Sequence, residues 1–138
     1  MNVIIVGGGR VGYYLTKTLM EHGHEPTIVE ADRKTCEYLA NEFDITIVMG
    51  DGTHPETLES AGAMNADAII CVMGMDENNL ICCQLAKRIY HVKKTIAKVN
   101  NPKNAEVMKI LGVDNVINNI DNIAALIERE VITSRVKQ

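Results

Sequence analysis

The chain has 138 residues, 46% of them apolar and 23% charged, with a formal net charge of −4 and no basic cluster longer than the Lys93-Lys94 pair. That length suits a single domain spanning the whole chain and burying roughly two thirds of its unfolded surface, and the lack of a concentrated basic face argues against nucleic acid as a partner. No apolar run reaches the roughly 18 residues of a membrane span, and the apolar N-terminal segment lacks the basic flank of a signal peptide, so a cytoplasmic location without direct membrane insertion is expected.

Strand-like and helix-like segments alternate along the chain. The first apolar run, Val3–Val6, enters the turn Gly7-Gly8-Gly9-Arg10-Val11-Gly12, a G-x-G-x-x-G pattern formed by Gly7, Gly9 and Gly12. Helical spacing follows, with Val11, Leu15 and Leu19 on one face. In this order Gly7 permits the tight turn, Gly9 lets the chain approach a diphosphate, and Gly12 lets the helix pack on the strand. The helix start then directs free N–H groups and a partial positive charge at the phosphates. Further β-branched runs occur at Thr27–Val29, Ile45–Val48, Ala68–Val72, Thr95–Val99 and Val116–Ile117.

The intervening helices carry their own start signals. Asp32 is placed to cap the segment holding Leu39, and Thr53 to cap a short helix opened by Pro55 and running through Leu58. Asp76 is placed to cap a long helix bearing Ile81, Leu85 and Ile89. Asn101 and Pro102 open another helix, which Gly112 ends. Consecutive apolar residues in the strands predict a sheet covered on both faces. Six strands and five intervening helices predict a doubly wound α/β fold of the Rossmann type, with strand order 3-2-1-4-5-6. A last helix from about Asp121 to the C-terminus carries Ile120, Ile123, Ala124, Ile127 and Val131 as one stripe, with Leu126, Ile132 and Val136 beside it. So broad an arc exceeds what one sheet needs, and we read the surplus as a surface for self-association, simple packing being the plainer alternative.

Ligands of such sheets bind at the carboxyl ends of the strands. Glu30 ends the second strand about twenty residues beyond the turn, where a carboxylate accepts hydrogen bonds from ribose hydroxyls. It would repel a 2′-phosphate, favouring NAD(H) over NADP(H), although Arg33 nearby could accommodate one; the plainer reading of Glu30 is a solvated strand end. Arg10 could reach across the phosphates as a bidentate donor, or be a surface residue. Gly50-Asp51-Gly52-Thr53 follows the third strand, where adenine would lie, and Asp51 or Thr53 could bond a base edge. Met73 and Gly74 end the fourth strand over the second half of a dinucleotide. Asp76 and Glu77 read better as ordinary partners of a helix dipole.

Catalytic signals are weak. The Y-x-x-x-K spacings of Tyr13 with Lys17 and of Tyr90 with Lys94 fall on the wrong helix and across a helix end, as chance matches do. His22, His24, His54 and His91 lack a nucleophile partner. Cys36, Cys71, Cys82 and Cys83 show no metal spacing and read as buried or half-buried free thiols.

Taken together, these motifs resemble the N-terminal nucleotide-binding domain of Trk-type potassium uptake regulators, the KTN or RCK N-terminal domain. The matching segments are Ile4 through Gly12, Ile28-Val29-Glu30-Ala31-Asp32, Gly50 through Thr53, Leu58 through Ala63, Ala66-Asp67-Ala68, Asp76-Glu77-Asn78-Asn79, Ile96-Ala97-Lys98 and Leu111-Gly112-Val113-Asp114. The resemblance implies a non-enzymatic regulator that binds NAD(H), or ATP or ADP, and signals to a membrane potassium transporter or channel. It adds Val11, Ala31, Asp32 and Lys98 to the ligand-contacting residues, with Lys98 facing the ligand from the fifth strand. It also implies a homodimer or higher homo-oligomer docking through terminal helices. Many members carry Asp at the position of Glu30, and Pro where Asn118-Asn119 follow the sixth strand. The family's C-terminal sensing domain is missing, as in an excised fragment or a free-standing version. The alternative is the coenzyme domain of an NAD-dependent oxidoreductase without its catalytic part; a methyltransferase-like nucleoside site is disfavoured by six strands and the full glycine turn.

Overall fold

In the computed structural model, which describes residues 1–137, six parallel strands form one sheet in the order β3-β2-β1-β4-β5-β6. The strands are β1 (Asn2–Val6), β2 (Glu25–Glu30), β3 (Thr46–Met49), β4 (Ala68–Cys71), β5 (Lys94–Val99) and β6 (Asn115–Asn118). They alternate with α1 (Arg10–Glu21), α2 (Arg33–Glu42), α3 (Pro55–Ser60), α4 (Asp76–Arg88), α5 (Ala105–Ile110) and α6 (Asn119–Lys137). This is the expected doubly wound, Rossmann-type arrangement, with every expected strand in place to within a residue or two. The strand order reverses between β1 and β4, which opens a crevice at their carboxyl ends.

The two faces of the central strand account for the core. Val3, Ile4, Ile5 and Val6 are all buried, and alternation sends them to opposite sides. Val3 and Ile5 join Ile28 and Leu39, with Leu15 and Leu19 of α1 packed against them. Ile4 and Val6 join Val29, Ile69, Leu58 and the small residues Cys82, Cys83 and Ala86 of α4. All four cysteines are buried free thiols. Burial pushes the Cys71 thiol well up, and Cys83 lies 3.5 Å from it, sulfur to sulfur.

Two helices are rotated from the expected faces. In α1 the buried line is Gly12 and Thr16, with Leu15 and Leu19 half-buried, and Val11 is 47% exposed. Gly12 lacks a side chain, so the helix approaches the strand along that line and Val11 turns outward. In α4 the buried face is Asp76, Asn79, Cys82, Cys83 and Ala86, while Ile81 and Ile89 are exposed and Leu85 is half-buried. Polar anchoring of Asp76 and Asn79, described below, sets that rotation against the apolar periodicity.

Caps follow the same logic. Asp32 caps α2 as expected, accepting the Thr35 N–H at 2.9 Å. Asp76 does not cap α4; Met75 holds the N-cap position, and the Asp76 carboxylate bonds across to another loop. Thr53 does not cap α3 either, because its hydroxyl donates to Asp51 and His54 takes the N-cap position. Asn101 opens a 3-10 turn, Pro102–Asn104, that runs into α5, and Gly112 follows α5 with φ +105°. The last helix begins at Asn119, two residues before the expected start. Ile120, Ile123, Leu126, Ile127, Val131 and Ile132 on it are all about half exposed, so among the described residues both the stripe and the apolar residues beside it are uncovered. Val136 lies outside the described side chains. Among the described residues, no helix is long and apolar enough to cross a membrane.

At the amino end of the sheet, Asp114 ties β6 to β5. It accepts the Thr95 N–H at 2.9 Å and the Thr95 hydroxyl at 3.1 Å, and pairs with Lys87. Burial alone would raise its pKa, but Lys87 and the Thr95 donors hold it below the usual carboxylate value. A carboxylate held low stabilises the fold above its ordinary pKa and loses that contribution as pH falls through the lowered one. Urea midpoints measured between pH 7 and pH 3 should therefore show Asp114→Asn less stable than the parent chain at neutral pH, with the gap closing below about pH 4. A second prediction concerns Gly12, where an added Cβ would lie 2.0 Å from the Gly7 carbonyl oxygen. Thermal denaturation should show Gly12→Ala destabilised by about 3 kcal/mol. Gly9→Ala, whose Cβ meets nothing within 4 Å, should cost less than about 1 kcal/mol.

Candidate functional site

The crevice begins where β1 ends. Gly7 leaves the strand with φ +113°, and its N–H donates to the Val29 carbonyl at 2.8 Å. A Cβ on Gly7 would lie 2.9 Å from the backbone of Val72, so the turn is pressed against the end of β4. Gly8 donates its N–H to Glu30 Oε1 at 2.7 Å, and a Cβ there would come within 2.6 Å of Leu39. Gly9 is the N-cap residue of α1 and faces open space. No side chain caps α1 and no acidic residue sits in its first turn. The first N–H groups of the helix therefore present their partial positive charge without a protein counter-charge.

Glu30 spans two elements. Its second oxygen, Oε2, accepts the Asp32 N–H at 2.8 Å, so the carboxylate ties the glycine turn to the end of β2. Ala31 and Asp32 beside it are exposed, and Asp32 is engaged with the Thr35 N–H and hydroxyl, the latter at 2.7 Å. The Thr35 hydroxyl and N–H hold the Asp32 carboxyl below its usual range. The Gly50 N–H donates to the Glu30 carbonyl at 2.9 Å, which brings the loop after β3 to the same edge. There Asp51 Oδ1 accepts from the Thr53 N–H at 2.9 Å and from its hydroxyl at 2.7 Å. These two donors, the backbone one foremost, keep the Asp51 carboxyl low, and His54 lies 3.7 Å from its other oxygen. A Cβ on Gly52 would meet Val6 at 2.3 Å and the Met73 sulfur at 3.6 Å, so this loop closes onto both β1 and the end of β4.

The far side of the crevice is built by buried side chains. Asn79 is fully buried; it accepts the Met73 N–H at 2.8 Å and donates to the carbonyls of Met73 at 3.1 Å and Lys98 at 3.0 Å. Asp76 accepts the N–H groups of Asn100 at 2.6 Å and Asn101 at 2.9 Å, and the Asn104 amide at 2.9 Å. Burial opposes its ionisation, but these donors hold the carboxyl below the usual value, helped by the charge of Lys98. The Asn100 amide donates to the Gly74 carbonyl at 2.8 Å.

The structure therefore brings Gly7, Gly12, Glu30, Asp51, Gly52, Thr53, Met73, Gly74 and Lys98 to the carboxyl edge of the sheet. Arg10 and Val11 are exposed in the first turn of α1, between Gly9 and Gly12. Arg10 lines a cleft of 390 Å³ with Gly8, Gly9, Tyr13, Tyr14 and Tyr38. There the rings of Tyr13 and Tyr38 stack at 5.9 Å. The sequence reading assigned no role to Gly8, to Asn79 or to these tyrosines. The middle glycine of the run, Gly8, was visible, but the carboxylate it meets is 22 residues away in sequence. The two Y-x-x-x-K spacings dissolve in the fold, since Tyr13 belongs to the aromatic cluster and the Tyr90 hydroxyl donates to the Pro55 carbonyl at 2.8 Å. Among the described residues, no group of three His, Cys, Asp or Glu side chains is placed to hold a metal ion.

The Trk system potassium uptake protein TrkA homolog of Methanothermobacter thermautotrophicus is 38% identical over 136 residues, covering 99% of this chain and 62% of that protein. The chain thus spans less than two thirds of the length of that relative. The TrkA-N domain of the inner membrane protein ybaL from Escherichia coli superposes with a TM-score of 0.86 at 19% identity, covering 93% of this chain and 94% of that one. The GsuK channel bound to NAD superposes with a TM-score of 0.76, and GsuK bound to ADP with 0.75, each at 21% identity over 84% of this chain and covering 21% and 30% of theirs. These superpositions share the fold described above. The family model described as the TrkA-N domain matches residues 3–119, which take in the glycine turn, five whole strands and β1 from Val3. The chain belongs to the TrkA-N domain family.

Proposed function

We propose that this TrkA-N domain is a cytoplasmic regulatory nucleotide sensor rather than an enzyme. NAD(H), with ATP or ADP as the other candidates, seats in the crevice between β1 and β4 and biases the relative orientation of paired domains. That movement gates a membrane potassium transporter or channel. The observation that carries the reading is the uncapped, acid-free start of α1 facing the crevice over Gly7, Gly8 and Gly9. Such a start offers backbone donors and a positive dipole to a diphosphate. Gly9 fits a close phosphate approach, since the protein places nothing within 4 Å of where its Cβ would be. Arg10 extends over the phosphates from the exposed first turn. Glu30 meets the ribose, the Gly50–Thr53 loop meets the base, and Met73, Gly74 and Lys98 face the second half of a dinucleotide. The relatives named for potassium uptake and for a channel support the transport link. Signalling requires that the nucleotide bind one orientation of the pair more tightly than the other; tight binding alone shifts nothing. The uncovered stripe of α6 supplies a surface for pairing two copies, because half-exposed Ile123, Ile127 and Val131 on one helix face need cover.

Thermal shift and calorimetry with NADH, NAD, NADPH, ATP and ADP test the ligand. Stabilisation by NAD(H) or an adenine nucleotide is expected, and stabilisation by none of them overturns the reading. Gly9→Asp should abolish binding without unfolding the chain, because its carboxylate intrudes where the diphosphate would sit. Glu30→Ala should weaken NADH by about tenfold, narrow the discrimination against NADPH, and lower the melting temperature, since the Gly8 N–H loses its acceptor. Light scattering tests the pairing: a dimer is expected for the parent chain and a monomer for Ile127→Glu. A monomeric parent chain would refute the proposed surface.

A further inference from the structure

The hydrogen-bonded register between β4 and β5 ends at the pair Cys71 and Ala97. Beyond it β4 has ended, while β5 continues to Val99 paired with β6 on its other side. A parallel sheet offers no backbone partner there to hold Met73 beside Lys98. Asn79 supplies the missing connection. Its carboxamide accepts the Met73 N–H and donates to the carbonyls of both Met73 and Lys98, all within 3.1 Å. The donor and acceptor types of the backbone groups fix which way the amide faces. It stands where a peptide group of one more strand pair would stand. A fully buried amide in a helix face otherwise made of Cys82, Cys83 and Ala86 is costly unless every polar atom is bonded. Here each one is.

We propose that Asn79 is the positioning residue for the second half of the crevice. By setting the separation of Met73 and Lys98, it decides how strongly the domain prefers a dinucleotide over a mononucleotide. This rests on the nucleotide reading above. The turn, Glu30 and the Gly50–Thr53 loop, which would hold the adenosine half, make no hydrogen bond to Asn79. The half of a ligand that lies over β4 and β5 depends on its grip directly, whereas the adenosine half meets it only through packing of Gly7 and Gly52 against the end of β4. Asp76 and Asn100 support the same pair of strand ends through the Asn100 and Asn101 N–H groups and the Gly74 carbonyl.

The test is calorimetry of NADH and ADP on the full chain and on Asn79→Asp, which keeps an acceptor for Met73 but can donate to neither carbonyl. NADH affinity should fall about tenfold while ADP affinity changes by less than about twofold. Retained ADP binding shows in the same experiment that the variant is folded, and a general structural role would weaken both ligands alike. Equal losses, or no loss, would overturn the proposal while leaving the nucleotide reading intact. A parent chain that binds neither ligand would overturn the nucleotide reading itself, and the proposal with it. Should Asn79→Asp fail to fold, Asp76→Asn decides: a lowered NADH-to-ADP preference supports the positioning role and an unchanged preference refutes it.

Discussion

The approach of α1 to the end of β1 constrains the rest of this molecule. With 2.0 Å between the Gly7 carbonyl oxygen and the site of a Cβ on Gly12, the helix start has no freedom to lift away without losing its seat on the sheet. That seat places the first turn of α1 over the crevice where the strand order reverses. It also brings Gly7 against Val72, so the turn is clamped between α1 on one side and β4 on the other. The positive end of the helix dipole is thereby aimed at a fixed point by backbone geometry. The Glu30 carboxylate, accepting the Gly8 N–H, adds a side-chain tie to that turn.

Around that point, the polar side chains of the carboxyl edge act first as fasteners. Glu30 joins Gly8 to Asp32, Asp51 folds its own loop onto Thr53, and Asp76 and Asn79 join the ends of β4 and β5. In each case a carboxylate or amide satisfies backbone groups that the sheet ladder cannot reach, which is the usual requirement for buried polar groups. The consequence is mechanical coupling. A ribose hydroxyl bonded to Glu30 would compete with or reinforce the bonds that hold the glycine turn, so occupancy would be felt at both β1 and β2. Such linkage is what a sensor requires and what a merely adhesive pocket lacks.

The last helix stands apart from this network. Its apolar side chains stay about half exposed along its length, in contrast to α1 and α4, whose buried lines face the sheet. A helix that exposes a broad apolar arc gains stability from whatever covers that arc. The six strands are all in place before α6 begins, and the pairing proposed above would use this helix.

Much of this was legible in the sequence because it is encoded in short contiguous stretches. The six apolar runs, the glycine turn and the Asp32 cap depend on neighbours within a few residues, and the strand and helix periods determine fold class and strand sequence. The rotations of α1 and α4 were not legible, because Val11 and Ile81 satisfy an apolar periodicity that close packing at Gly12 and polar anchoring at Asp76 and Asn79 override. Nor was the work of Gly8, which meets a carboxylate 22 residues away, or of Asn79, which meets a carbonyl 19 residues away. The sequence by itself determined the elements, their order and the glycine turn. Tertiary structure alone decided which face of each helix is buried and which side chains join the strand ends, since those bonds exist only once the sheet has set distant segments side by side.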